Sequence, residues 1–169
     1  MGTRALRVTM GVVAVLSISG CSPVAAGPMA VANEGGHLVV VAPVCHGQLT
    51  DVFVTVGNDV THPLVWRHED VDHDLRLDLT APGDGWQGPS LTLSPTTRYS
   101  VGAGHDVVFA KDSIGSDVWA SGPTFTGAEV LALPADQVIA AGSVPPTTGP
   151  DGTTGDPRMT RAEFDATAC

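Results

Sequence analysis

From residue 37 to about residue 142 the chain alternates apolar and polar positions at the spacing of strands, and turn residues interrupt it at short intervals. Residues 37–44 form a nearly continuous apolar run. Residues 49–56 place Val52, Val54 and Val56 on one face, and residues 64–68 carry Trp66. Val71, His73, Leu75, Leu77 and Leu79 then alternate with Asp70, Asp72, Asp74, Arg76 and Asp78. That period of two predicts a half-buried strand with one apolar and one charged face. Further strands are predicted at 91–93, 98–102, 107–111, 118–125, 130–133 and 138–141. The Pro- and Gly-rich residues 82–89 read as a loop. Thr160 and Glu163 have the spacing of a capping box, which opens a short helix ending near Ala168. Many short strands with turns between them predict an all-β fold, an antiparallel sandwich with one short C-terminal helix.

The first apolar run is of another kind. Arg4 and Arg7 precede an unbroken stretch from Val8 to Ile18, followed by Ser19, Gly20 and Cys21. The stretch is too short to span a bilayer and has the layout of an export signal. Its end resembles the bacterial lipobox, small and aliphatic residues closing on Gly-Cys. The resemblance implies that residues 1–20 are removed and that Cys21 is lipidated. Cys21 then becomes the new N-terminus and anchors the protein to the cell membrane, on the extracytoplasmic face. Residues 21–36, rich in Ala, Gly and Pro, read as a flexible tether before a folded domain at 37–142. Residues 143–169 read as a Pro/Gly-rich strap followed by the C-terminal helix.

Charge narrows the partners. The chain has 18 acidic residues against 8 basic ones, a net charge of −10, and two of the basic residues lie in the signal. Such a domain is a poor match for nucleic acid or anionic lipid. With Cys21 committed to lipid, Cys45 and Cys169 remain in an exported, oxidising setting, where a disulfide is the expected state. No Cys-x-x-Cys spacing points to a redox pair.

Leu93, Pro95, Thr97, Tyr99 and Val101 sit in the pattern L-x-P-x-T-x-Y-x-V. This resembles the tyrosine-corner stretch of fibronectin type III and bacterial immunoglobulin-like domains. The segments 111–115 and 124–126 are similar to the end of such domains, and Trp66 is placed where a strand-C tryptophan would stand. The resemblance implies an immunoglobulin-like sandwich in which Leu93 and Tyr99 are core residues and the tyrosine hydroxyl bonds the turn backbone. It implies no activity. The Cys45–Cys169 pair is not the inter-sheet bridge of immunoglobulins, and the strap and terminal helix lie outside the pattern.

The densest set of potential ligands is His68, Asp70, Asp72, His73 and Asp74. On one strand the three aspartates would share a face, an arrangement of hard oxygens that suits Ca²⁺, while the two histidines would suit Zn²⁺ or Cu²⁺. Leu75 and Ala81 break the EF-hand pattern, and a solvated strand face explains the aspartates without a metal. His46, His62 and His105 read as turn residues. Gly-x-Ser-x-Gly, Ser-x-x-Lys, His-Glu-x-x-His and phosphate-cradling loops are all missing from the sequence, so neither an enzyme nor a cofactor is expected. Trp86, between glycines in a polar loop, either folds over the end of the sandwich or serves as an exposed binding anchor. The sequence therefore leads to a membrane-anchored envelope lipoprotein that binds or scaffolds an unidentified protein or envelope polymer. The alternative is an extracytoplasmic metal-binding protein that uses the 68–74 cluster.

Overall fold

The alternation resolves into two five-stranded sheets. The computed structural model describes residues 24–57, 59–71, 74–83, 85–110, 113–141, 147–148, 154–167 and 169. In chain order the first elements are β1 (Val24–Ala25), β2 (Ala30–Glu34), β3 (His37–Ala42), β4 (Leu49–Val56), β5 (Asp59–Val71), β6 (Leu75–Asp78) and β7 (Arg98–Gly104). There follow β8 (Val108–Ala110), β9 (Ser113–Gly115), β10 (Val118–Thr126), α1 (Gly127–Leu131), β11 (Gln137–Ala140), β12 (Thr147–Thr148), β13 (Thr154–Gly155), β14 (Arg158–Thr160) and α2 (Arg161–Ala166). The first sheet has the order β1-β10-β7-β4-β5 and the second β14-β11-β2-β3-β6, while β8–β9 and β12–β13 form separate two-stranded pairs. Pairing is antiparallel except between β1 and β10.

One core joins the sheets. Val52, Val54, Trp66, Val101 and Phe125 from the first meet Val31, Leu38, Val40, Leu75 and Leu77 from the second. The back of the second sheet is also covered. Ala30, Val39, Val41, Val138 and Ala140 lie beneath Phe164 of α2, with Met159 against them. Both faces of β3 are thus buried, which is why its sequence is apolar throughout rather than alternating. Cys45 and Cys169 are joined, with Cα atoms 5.6 Å apart, and this fastens the end of α2 to the loop before β4.

Several expectations need correction. Residues 24–36 are not a tether, because β1 and β2 are strands and Met29, Ala30 and Val31 are fully buried. Alanine is depleted in strands as a class, yet here small side chains suit a strand packed between two apolar layers. Residues 130–133 are not a strand. Thr126 and Glu129 form a capping box that opens α1, so among the described residues there are two short helices rather than one. Residues 91–93 are not a strand either; the Leu91 amide gives one isolated bond to the Leu79 carbonyl. Val56 does not join Val52 and Val54 in the core, for the register slips between Val54 and Val56 and leaves it 37% exposed. Residues 70–79 are not one strand. β5 ends at Val71, β6 starts at Leu75, and between them the chain passes from the first sheet to the second. Most of the expected strap, and Cys21 with the whole signal, lie outside the described residues.

Tyr99 is 2% exposed and its hydroxyl accepts a 2.9 Å bond from the Ser94 amide. Its ring stacks on Phe125, with centroids 5.8 Å apart. Tyr99→Phe is expected to cost about 1 kcal/mol in chemical denaturation, the usual net value of one hydrogen bond. Unchanged stability would show that the bond holds nothing in place.

Candidate functional site

Trp86 is not an exposed anchor. It is 9% exposed and belongs to the core. The reason is a β-bridge: the amides and carbonyls of Arg67 and Gln87 exchange two 2.8 Å bonds, which fold the 82–89 loop back onto β5. Trp86 then lies against His68, with ring centroids 5.2 Å apart. Gly88 is pressed flat on Trp66, where a Cβ would come within 2.3 Å of the ring. The Trp66 indole N–H donates to the Pro89 carbonyl at 2.7 Å.

Residues 68–74 do not lie on one strand, since β5 ends at Val71 and β6 starts at Leu75. His68 remains on β5, packed on Trp86, while Asp74 is exposed in the crossover before β6. Asp72, His73 and the Asp70 side chain lie outside the described residues. Among the described residues there is no group of three or more His, Cys, Asp or Glu side chains that could hold a metal ion.

The other polar clusters serve the backbone. The Asp59 carboxylate accepts from the Thr61 hydroxyl and amide and from His62, which together pull its pKa down to about 2. Burial pushes Asp78 up, but bonds from Thr80 and Ala81 and the nearby His37 outweigh it, so its carboxyl lies below the usual range. Ser116 Oγ is engaged with the carbonyls of His105 and Val118 at 2.7 and 2.5 Å. His105 Nδ1 sits 3.2 Å from Asp117. These are turn and hairpin fastenings, and they aim no serine at a histidine ring.

A groove lies on the outer face of the first sheet. Along β4, Val52 and Val54 point into the core, so Asp51, Phe53 and Thr55 point the other way. That outer face is half covered by the β8–β9 hairpin. Asp51 secures it: its carboxylate accepts from the Val107 amide (3.1 Å), the Thr50 hydroxyl (2.8 Å) and Arg67 Nε (3.0 Å). Thr50 Oγ1 in turn accepts from the Asp106 amide at 2.9 Å. Phe53 lies over Gly102, where a Cβ would be 2.3 Å from the ring. It packs edge-on against Phe109 (5.5 Å) and tilted against Trp119 (5.2 Å).

Between the hairpin and β5 this leaves a groove of about 450 Å³. Its lining includes Phe53, Thr55, Val60, Ser100, Ile114, Trp119 and Ser121, and no ionisable side chain. The Trp119 indole N–H donates to Ser121 Oγ at 2.9 Å, and the Ser100 and Thr124 hydroxyls are 2.9 Å apart. A second cavity, about 530 Å³, follows the seam beside the disulfide, where Met159 and Phe164 meet Ala25 and Pro28. The sequence reading missed the groove because it followed only the inward face of β4. The available signal was Gly102 and Gly104 within a strand pattern, which marks a close approach by a neighbouring group.

No protein-family model, curated protein or solved structure matches this chain.

Proposed function

We propose that this protein is a membrane-anchored, extracytoplasmic lipoprotein whose immunoglobulin-like domain acts as a binding module. The observation that carries the binding reading is the Trp119 groove, a concave and largely apolar surface with a few placed polar groups. The anchor rests on the Arg-apolar-Gly-Cys layout ending at Cys21. Among the described residues no helix is long and apolar enough to cross a membrane.

Topology supports the immunoglobulin-like comparison. The run β4-β7-β10 matches the C-F-G order of that family and β2-β3-β6 the A-B-E order. Tyr99 then stands near the start of the strand equivalent to F, with its hydroxyl on the backbone upstream. Trp66 departs from the pattern, since it is on β5 rather than on the C-equivalent β4.

Fractionation and intact-mass analysis of the exported protein test the anchor. Wild type is expected in the membrane fraction with a diacylglyceryl group on Cys21. The Cys21→Ala variant should lose that mass and should not be processed at that position. A wild-type N-terminus found unmodified at Ala25 to Pro28 overturns the lipoprotein reading.

A further inference from the structure

We infer that the groove on the outer face of the first sheet is a saccharide-binding site, in which a neutral sugar ring stacks on Trp119 and the surrounding hydroxyls bond its rim. The inference rests on the binding-module reading and names the class of ligand.

Charge decides first. The chain carries 18 acidic residues among 169, yet none lines the groove. A cationic ligand would meet no carboxylate there, and an anionic one would approach against a net charge of −10. The complementary ligand is uncharged. Polarity decides next. Thr55, Ser100 and Ser121 put three hydroxyls into the lining beside Phe53 and Trp119; Thr55 Oγ1 donates to the Ser100 carbonyl and Ser100 Oγ is paired with Thr124, so these two offer acceptor positions. Each hydroxyl offers one donor and two acceptor positions. Ser121 Oγ spends one acceptor position on the indole and keeps its own O–H to give. An aliphatic chain or an apolar peptide side chain laid here would cover the Ser121 O–H without pairing it, which is costly. A sugar ring satisfies both demands, with a C–H face for the indole and a rim of hydroxyls for the serines and threonine.

The site is also pre-organised. The bond to Ser121 and the contact with Phe53 fix the Trp119 ring, so little side-chain freedom remains to be lost on binding. Gly102 lets Phe53 lie low enough to keep the groove open above it. A volume of about 450 Å³ falls within the range of small-ligand sites.

The test uses the exported full-length chain carrying Cys21→Ser, titrated with cellopentaose, maltopentaose and chitopentaose by calorimetry and tryptophan fluorescence. At least one oligosaccharide should saturate. Trp119→Ala should weaken it by about tenfold or more, a loss on the order of 1.4 kcal/mol. Ser121→Ala should weaken it several-fold, and Trp86→Phe should leave it unchanged. Because Trp119→Ala also thins the packing on Phe53, Trp119→Phe is measured beside it, with melting curves for all variants. A folded Trp119→Phe that binds several-fold more weakly supports the site. Failure of all three probes to saturate up to about 10 mM, or affinity indifferent to Trp119 and Ser121, overturns it. The outcome is independent of the anchor. A lipidated wild type whose domain ignores sugars sinks this inference alone, whereas a sugar-binding domain from an unlipidated wild type sinks only the anchor.

Discussion

Replacing Cys169 with serine is expected to lower the unfolding free energy by about 4–5 kcal/mol. The bridge joins residues 124 apart in sequence, so every described element from β4 onward lies inside the closed loop. In the chain-entropy description the gain is restriction of the unfolded chain, and it grows with loop length. The folded state should survive the cut. α2 keeps its capping box between Thr160 and Glu163, and Phe164 stays buried against the second sheet. The loss should therefore appear as a fall in midpoint with the native spectrum intact. Urea unfolding of Cys45→Ser, Cys169→Ser and the double variant tests this, and the three should agree. A loss below about 1 kcal/mol in all three would mean that the bridge does not form in the exported protein.

Trp66→Ala is expected to cost about 3–5 kcal/mol, the usual range for removing a large buried aromatic. The ring is 0% exposed, and two things depend on it. Its N–H satisfies the Pro89 carbonyl, and its face is the floor on which Gly88 rests. Truncation leaves a cavity under a loop that was shaped around the ring. The 82–89 loop should loosen, and in a Trp119→Phe background, where Trp86 alone is left to fluoresce, its emission should become accessible to acrylamide. Trp66→Phe keeps most of the apolar volume and should cost clearly less. Equal costs for the two substitutions would show that the hydrogen bond, and not the packing, carries the residue's contribution.

What the sequence discloses depends on how local the determining contact is. β4, β7 and β10 are legible because their side-chain alternation reports which neighbours lie above and below the strand, and β3 and β11 because a short apolar run suits a strand covered on both faces. α2 is legible from Thr160 and Glu163 alone. α1 has the same spacing at Thr126 and Glu129, but the short apolar stretch after it fits a strand period as well as a helix period. The break between β5 and β6 leaves no trace in the pattern. Val71, Leu75 and Leu77 enter the same core from either side of it, so the alternation continues while the sheet changes. Trp86 and the groove fail for a different reason. The Arg67–Gln87 bridge and the cover that β8–β9 gives Phe53 are tertiary contacts, and nothing near either residue encodes them.

The early start of β1 sets how far this domain can travel. On the proposed lipid anchor at Cys21, the sequence leaves only Ser22 and Pro23 before Val24 opens β1, so the leash could be no longer than about 10 Å. β1 runs parallel to β10 and pairs Ala25 with Trp119, so the leash leaves from the end of the sheet where the Trp119 groove begins. On the proposed anchor the domain would stay at the bilayer surface as a rider on the lipid, and its encounters would be two-dimensional. A ligand of the domain so anchored would itself reside at the membrane or be brought down to it.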